Sequence, residues 1–182
     1  MGKNLDDIGH SMANFTRLKW PDLSPELIVD VGCTIGHNTL PWKQTFPEAE
    51  VHGLDAASPC LQYGHARAEA MGIPIQFKQA LCDALPYSDN SVDVVFSSMF
   101  LHELPTELIR AFFKEAHRVL KPGGAAMFAL SNRCFPTKAV NIWLKTNDLE
   151  HVYVVGSYFH YAGAFKPPSA VVRTVGVGMP RR

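Results

Sequence analysis

Two kinds of apolar pattern alternate along this chain. Leu5, Ile8, Met12 and Phe15 recur every three or four residues, the spacing of one face of a helix, and Pro21 and Pro25 close that segment. "LIVDV" (27–31) is instead a near-continuous apolar run, as in a parallel strand covered on both faces. A helix over 38–46 follows, with Pro41 tolerated because it lies in the first turn. The alternation then repeats: a strand over 51–56, a helix over 58–71 closed by Gly72, a strand over 75–81 and a strand over 92–99. The clearest helix sets Leu108, Phe112, Ala116, Val119 and Leu120 on one face and stops at "KPGG", ahead of a strand over 125–131.

Strands alternating with helices predict an α/β protein: a Rossmann-like, doubly wound, mostly parallel sheet with helices on both faces. Such folds bind ligands beyond the C-terminal strand ends, near the switch in strand order. The functional residues are therefore expected just after Val31, Leu54, Ala80 and Phe96. Beyond residue 132 the pattern weakens. A helix over 139–145 is expected, then a helix or a strand pair over 151–163, and a last strand over 170–179 that runs out into glycines.

Composition narrows the picture. Of 182 residues, 47% are apolar and 19% charged, which suits one folded domain with a sizeable core. Seventeen basic residues balance seventeen acidic ones, so no basic excess marks a nucleic-acid partner. No apolar run approaches the roughly 20 residues of a membrane span, and "MGKNLDDIGH" lacks a leader's apolar region, so a soluble, cytoplasmic protein is expected. Cys33, Cys60, Cys82 and Cys134 are scattered without Cys-x-x-Cys spacing. They read as reduced thiols, with no metal site.

The chemistry lies in Asp30-Val31-Gly32-Cys33-Thr34-Ile35-Gly36. A strand, a glycine turn and a helix N-terminus together present backbone N–H groups and a partly positive end. Gly32 and Gly36 are four apart, Thr34 stands between them, and the third glycine of the dinucleotide fingerprint is missing. A phosphate-binding loop fails as well, because no Gly-Lys-Ser/Thr follows. Asp30, two residues before the first glycine, would repel a pyrophosphate and suit an ammonium or sulfonium. Asp55, at the end of the second strand, is placed to accept hydrogen bonds from both hydroxyls of a ribose. Ribose on one side and positive charge on the other describe S-adenosylmethionine.

These residues make the chain resemble the class I S-adenosylmethionine-dependent methyltransferases, in the small-molecule group that includes the ubiquinone and menaquinone enzymes. "VDVGCTIG" looks like that family's glycine motif and "VHGLDAA" like its ribose-binding strand end. "DALPYSDNSVDVVFSS" is similar to the segment entering its fourth strand, and "EAHRVLKPGG" to its signature before the fifth. The resemblance spans residues 25–131, with 1–24 as an N-terminal helix or lid and 132–182 as the variable part of a methyltransferase domain over 25–182. It implies that Asp30, Gly32, Cys33 and Gly36 hold the methionine end, and that Asp55 takes the ribose with Ala56 packed on the adenine. Leu81 and Cys82 would border the adenine, and Ser97 and Ser98 would line the methionine part. Two positions depart from the pattern. Thr34 replaces the usual middle glycine, tolerable with a negative φ, and Leu81 stands where many members carry an Asp for the adenine amino group, with Asp83 two residues on.

His102, just after the fourth strand, is the candidate general base, and Arg133 on the rim after the fifth is a candidate contact for an anionic substrate. His151, Tyr158, Phe159, His160 and Tyr161 suggest an aromatic packing face or a pocket wall rather than a metal site. About fifty residues remain after the fifth strand for the antiparallel pair that usually closes this sheet, leaving either a missing final strand or a remodelled tail. A missing strand would expose an edge, so monomer and homodimer are both open. The expected activity is methyl transfer from S-adenosylmethionine to a small molecule. Its rivals are a non-catalytic nucleoside-binding module and, from another enzyme class, an NAD(P)-dependent oxidoreductase.

Overall fold

The computed structural model describes residues 7–131, 137–163 and 165–171. The elements are α1 (Asp7–Lys19), β1 (Leu27–Val31), α2 (Thr39–Thr45), β2 (Glu50–Asp55), α3 (Ser58–Ala70), β3 (Gln76–Gln79) and β4 (Val92–Ser98). A short 3-10 turn (Leu101–Glu103), α4 (Thr106–Val119), β5 (Leu120–Ala129), α5 (Asn141–Leu144) and α6 (Asp148–Ala162) complete them.

The strands form a single parallel sheet in the order β3-β2-β1-β4-β5. Its strand order reverses between β1 and β4, so the crevice for a ligand opens where those two strands end. Its central strands β1, β2 and β4 are almost fully buried, as the near-continuous apolar runs of β1 and β4 require.

On one face Trp42 of α2 stacks on Phe96 of β4 with ring centroids 4.3 Å apart. Helix α1 joins this layer. Met12 and Ala13 are buried in it, and Gly9 crosses the start of α2 so closely that a Cβ there would lie 2.7 Å from the Asn38 carbonyl oxygen.

On the other face Phe113 of α4 stacks on Phe128 of β5 at 4.6 Å and takes Phe159 of α6 edge-on at 4.9 Å. Residues 151–163 are thus mostly helical. Asn147 caps α6 through a reciprocal capping box with Glu150, and Gly163 ends it at φ +79°. That cap chemistry decides between helix and strand pair where the apolar pattern did not. The rest of the tail aromatics divide: Tyr158 lies against Phe113, while Tyr161 is exposed.

Two smaller differences from the expected elements have local causes. β5 begins at Leu120, directly after α4, so "KPGG" lies within the strand, and its register against β4 slips between Val92 and Val94. The expected helix over 139–145 shrinks to one turn, Asn141–Leu144. The expected strand over 170–179 lies, from Val172 on, outside the described residues, as do Arg133 and Cys134.

The "EAHRVLKPGG" signature has a structural meaning at the opposite edge of the domain. Arg118 pairs with both carboxylate oxygens of Glu115 at 2.7 Å and with Asp89 at 2.7 Å, and it donates to the Tyr87 and Leu85 carbonyls. One guanidinium therefore fixes the whole segment that enters β4. Arg118→Ala should cost about 2 kcal/mol in urea unfolding, because two carbonyls and a half-buried carboxylate lose their donor together. Arg118→Lys should recover little of it, since an ammonium cannot reproduce the planar fork.

Candidate functional site

The glycine loop turns at three left-handed residues: Gly32 at φ +78°, Thr34 at +51° and Gly36 at +78°. Thr34 was expected to escape with a negative φ, and it does not. A β-branched residue is strained there, and what holds it is its N–H, which donates to Asp55 Oδ2 at 2.9 Å. The other oxygen of Asp55 accepts the Ala57 N–H at 2.8 Å. Asp55 therefore staples the loop after β1 to the loop after β2. Thr34→Gly should relieve the strain and raise the denaturation midpoint by about 1 kcal/mol of stability.

The loop does not present its amides as the sequence pattern suggested. Gly32 and Cys33 both donate to the Leu54 carbonyl (2.8 and 3.0 Å), Gly36 donates to Cys33, and Thr34 to Asp55. Four N–H groups that would cradle a phosphate are bonded within the protein. α2 is only seven residues long and adds no strong positive end.

Carboxylates dominate instead. Asp30 is buried on β1 beside Gly53 and Phe96. Its Oδ2 accepts the Thr39 hydroxyl at 2.6 Å, while Oδ1 has no partner among the described residues. Burial first, with the neighbouring charge of Asp55 adding to it, pushes its carboxyl up to about 7. Asp55 reaches Asp30 electrostatically, so the two acids share one site.

At the end of β4, Ser97 donates to the Val31 carbonyl at 2.6 Å and ties the two strand ends together. Ser98 Oγ is buried and unpartnered among the described residues. Across the crevice Ala56 is exposed, and so is Leu81, with 59% of its surface open after β3. Cys82 beside it is buried, with its thiol pushed up to about 11, and Cys33 is raised further by burial and by Asp30, so neither is a nucleophile.

His102 lies in the 3-10 turn four residues beyond Ser98, buried against Trp143 at a ring distance of 5.9 Å. Burial lowers its pKa, so the imidazole is neutral at pH 7. Trp143 in turn stacks on His151 at 3.8 Å.

One site residue carried no motif signal. Met99 takes a left-handed φ of +59° and swings the ring of Phe100 over Gly32, where a Cβ would meet that ring at 2.5 Å. An aromatic residue two places past a strand end was the only hint available. Among the described residues no three His, Cys, Asp or Glu side chains gather as a metal site would need, and no helix is long and apolar enough to cross a membrane.

Comparison with known proteins agrees with this geometry. A methyltransferase-domain family matches residues 28–124. The chain is 34% identical over 118 residues to a malonyl-[acyl-carrier protein] O-methyltransferase of Hahella chejuensis, covering 65% of this chain and 39% of that protein. It is 34% identical over 101 residues to the demethylmenaquinone methyltransferase of Thermus thermophilus, covering 56% and 45%. The chain spans less than half the length of these curated relatives. Among solved structures, a geranyl diphosphate methyltransferase in complex with SAM superposes with a TM-score of 0.55 at 20% identity, over 64% of this chain and 47% of that one. From β1 through the start of β5, then, this chain belongs to the methyltransferase-domain family, in its class I S-adenosylmethionine-dependent form.

Proposed function

We propose that the chain binds S-adenosylmethionine at the β1–β4 crevice and transfers its methyl group to a small molecule. The observation that carries this reading is the sign of the site: two carboxylates, one of them buried with an unpartnered oxygen, beside a loop whose amides are already bonded. A pyrophosphate would meet the Asp55 carboxylate and a buried Asp30 that ionises only near pH 7, without free amides to balance its own charge, which disfavours the NAD(P) reading; a cationic ligand instead draws Asp30 into its ionised form. A nucleoside bearing a sulfonium and an ammonium meets what it needs.

In this arrangement Asp55 accepts the ribose hydroxyls, and Ala56, Leu81 and Cys82 form the apolar bed for the adenine. Asp30, Gly32, Cys33 and Gly36 border the methionine end, with Ser97 and Ser98 opposite. When bound, the donor supplies an electrophilic methyl on sulfur. The protein's share is alignment, since an in-line displacement depends chiefly on holding nucleophile, carbon and leaving group in a row. His102, neutral through burial, serves as proton acceptor for a methyl acceptor that must lose one. Arg133 is kept as a contact for an anionic acceptor.

Calorimetric titration with S-adenosylmethionine and S-adenosylhomocysteine, with NAD as control, tests the site. Micromolar binding of the adenosyl ligands alone is expected. A folded protein that binds neither, or binds NAD equally well, would sink the proposal. Consumption of the donor with a panel of acceptors separates an enzyme from a binding module that keeps the pocket but never turns over.

A further inference from the structure

A cavity of about 220 Å³ lies between the 3-10 turn, the start of α4, and the α5–α6 segment, and Trp143 on its wall packs against the His102 ring at 5.9 Å. Its floor is made by Leu101, Leu104, Ile109, Trp143 and Val155, each buried. Thr106 and Asn141 are polar groups on its walls, and Ile142 is half exposed beside them. No charged side chain lines it among the described residues. The backbone bond from Val140 N–H to the His102 carbonyl (2.8 Å) holds the α5 segment against the turn that carries the candidate base.

We propose that this cavity is the subsite for an apolar chain of the methyl acceptor, so that acceptors carry a short aliphatic tail behind the methylated atom. The inference rests on the methyltransferase reading above. Space of this size bounded by Leu, Ile, Val and Trp gives water few partners and favours an apolar guest, as smaller Leu- and Phe-lined cavities take benzene. Its position supplies the rest. Leu101 in its floor is three residues past Ser98, where β4 ends at the crevice, and it precedes His102 directly. Tyr158 and Val154 line it from α6. A chain laid between those walls has its tail at α6 and its reactive end at the β4 rim. The described lining is uncharged, so it favours the apolar part of an acceptor over phosphates, carboxylates and amines, which belong to the head of the acceptor.

The test uses the full chain with isotope-labelled Leu, Ile and Val methyls, saturated with S-adenosylhomocysteine, and titrated with 1-hexanol against 1,6-hexanediol. Hexanol is expected to shift Leu101, Leu104, Ile109 and Val155, with its C1 protons near Leu101 and its terminal methyl near Tyr158. The diol, polar at both ends, should bind at least tenfold more weakly. Val155→Trp, which fills the floor, and Ile142→Glu, which places a charge on an exposed wall without disturbing the core, should each weaken hexanol at least tenfold. Both should leave the affinity for S-adenosylhomocysteine unchanged. Equal binding of the diol, the reversed orientation, wild-type affinity in both variants, or shifts outside the cavity would overturn the subsite. A protein that fails to bind S-adenosylhomocysteine would instead overturn the methyltransferase reading on which it rests.

Discussion

Replacing Asp55 with alanine is expected to weaken S-adenosylmethionine and S-adenosylhomocysteine equally, by about 2–3 kcal/mol or roughly 30- to 150-fold in Kd. Both ligands carry the same ribose, so a loss confined to one of them would point to the wrong group. Two effects combine. The charge-assisted bonds to the hydroxyls disappear, and so do the two backbone anchors on Thr34 and Ala57 that hold the crevice in shape. Asp55→Asn separates them, because the amide oxygen still accepts one N–H while its NH2 faces the other. An intermediate loss is expected for Asn, with calorimetry as the readout. Affinity within twofold of wild type in the alanine variant would place the ribose elsewhere.

The second large effect is one of pH. Folded Asp30 holds its proton up to about pH 7, against 3.8 for the ordinary carboxyl. Between those values the folded chain binds the extra proton, so the stabilisation present below pH 4 is lost as pH rises through 7. The shift sets an upper bound of about 4 kcal/mol, and a loss of about 2–4 kcal/mol between pH 4 and 8 is expected in urea unfolding of the ligand-free protein. Burial of His52 and His102 lowers their pKa values and works in the opposite direction, adding stability as pH rises towards 6.5. Both imidazoles are present in Asp30→Asn, so the difference between the two stability curves isolates Asp30. A difference that is flat across this range would contradict the burial argument. The same proton links to the ligand: a sulfonium beside Asp30 favours the ionised form, so binding near pH 6.5 should release a proton, measurable from the dependence of binding heat on buffer ionisation.

Legibility from sequence followed the length scale of each signal. β1, β4 and α4 were plain because each carries an apolar run or stripe, β2 followed from its place in the strand–helix alternation, and the parallel order then fixed which strand ends meet. That Asp30, Gly32, Gly36 and Asp55 sit at or just past the ends of β1 and β2 was readable because the fold places ligands at strand ends before any contact is known; that they hold a ligand is our proposal. What escaped was tertiary. The inward bonding of the loop amides depends on the Leu54 carbonyl across the sheet, the φ of Thr34 on Asp55, and the role of Phe100 on an unusual backbone at Met99. The helical nature of 151–163 rested on a capping box at Asn147, four residues before the stretch under question.

Phe77 of β3 has a wider consequence than its modest strand suggests. Its ring occupies the space that three glycines leave open: Gly36 of the loop, Gly53 of β2 and Gly64 of α3, with a Cβ on any of them 2.8–3.0 Å from a ring atom. A helix on the protein's flank and the loop at its functional rim thus lean on one shared phenyl group. Gly64 lies on α3, outside the loop, yet a methyl added there would crowd the ring that also packs on Gly36 and would itself lie 3.3 Å from the Ile35 backbone. In a library of variants it would score as a binding-site position while lying in none of the motifs. The rim of this domain is tuned from behind.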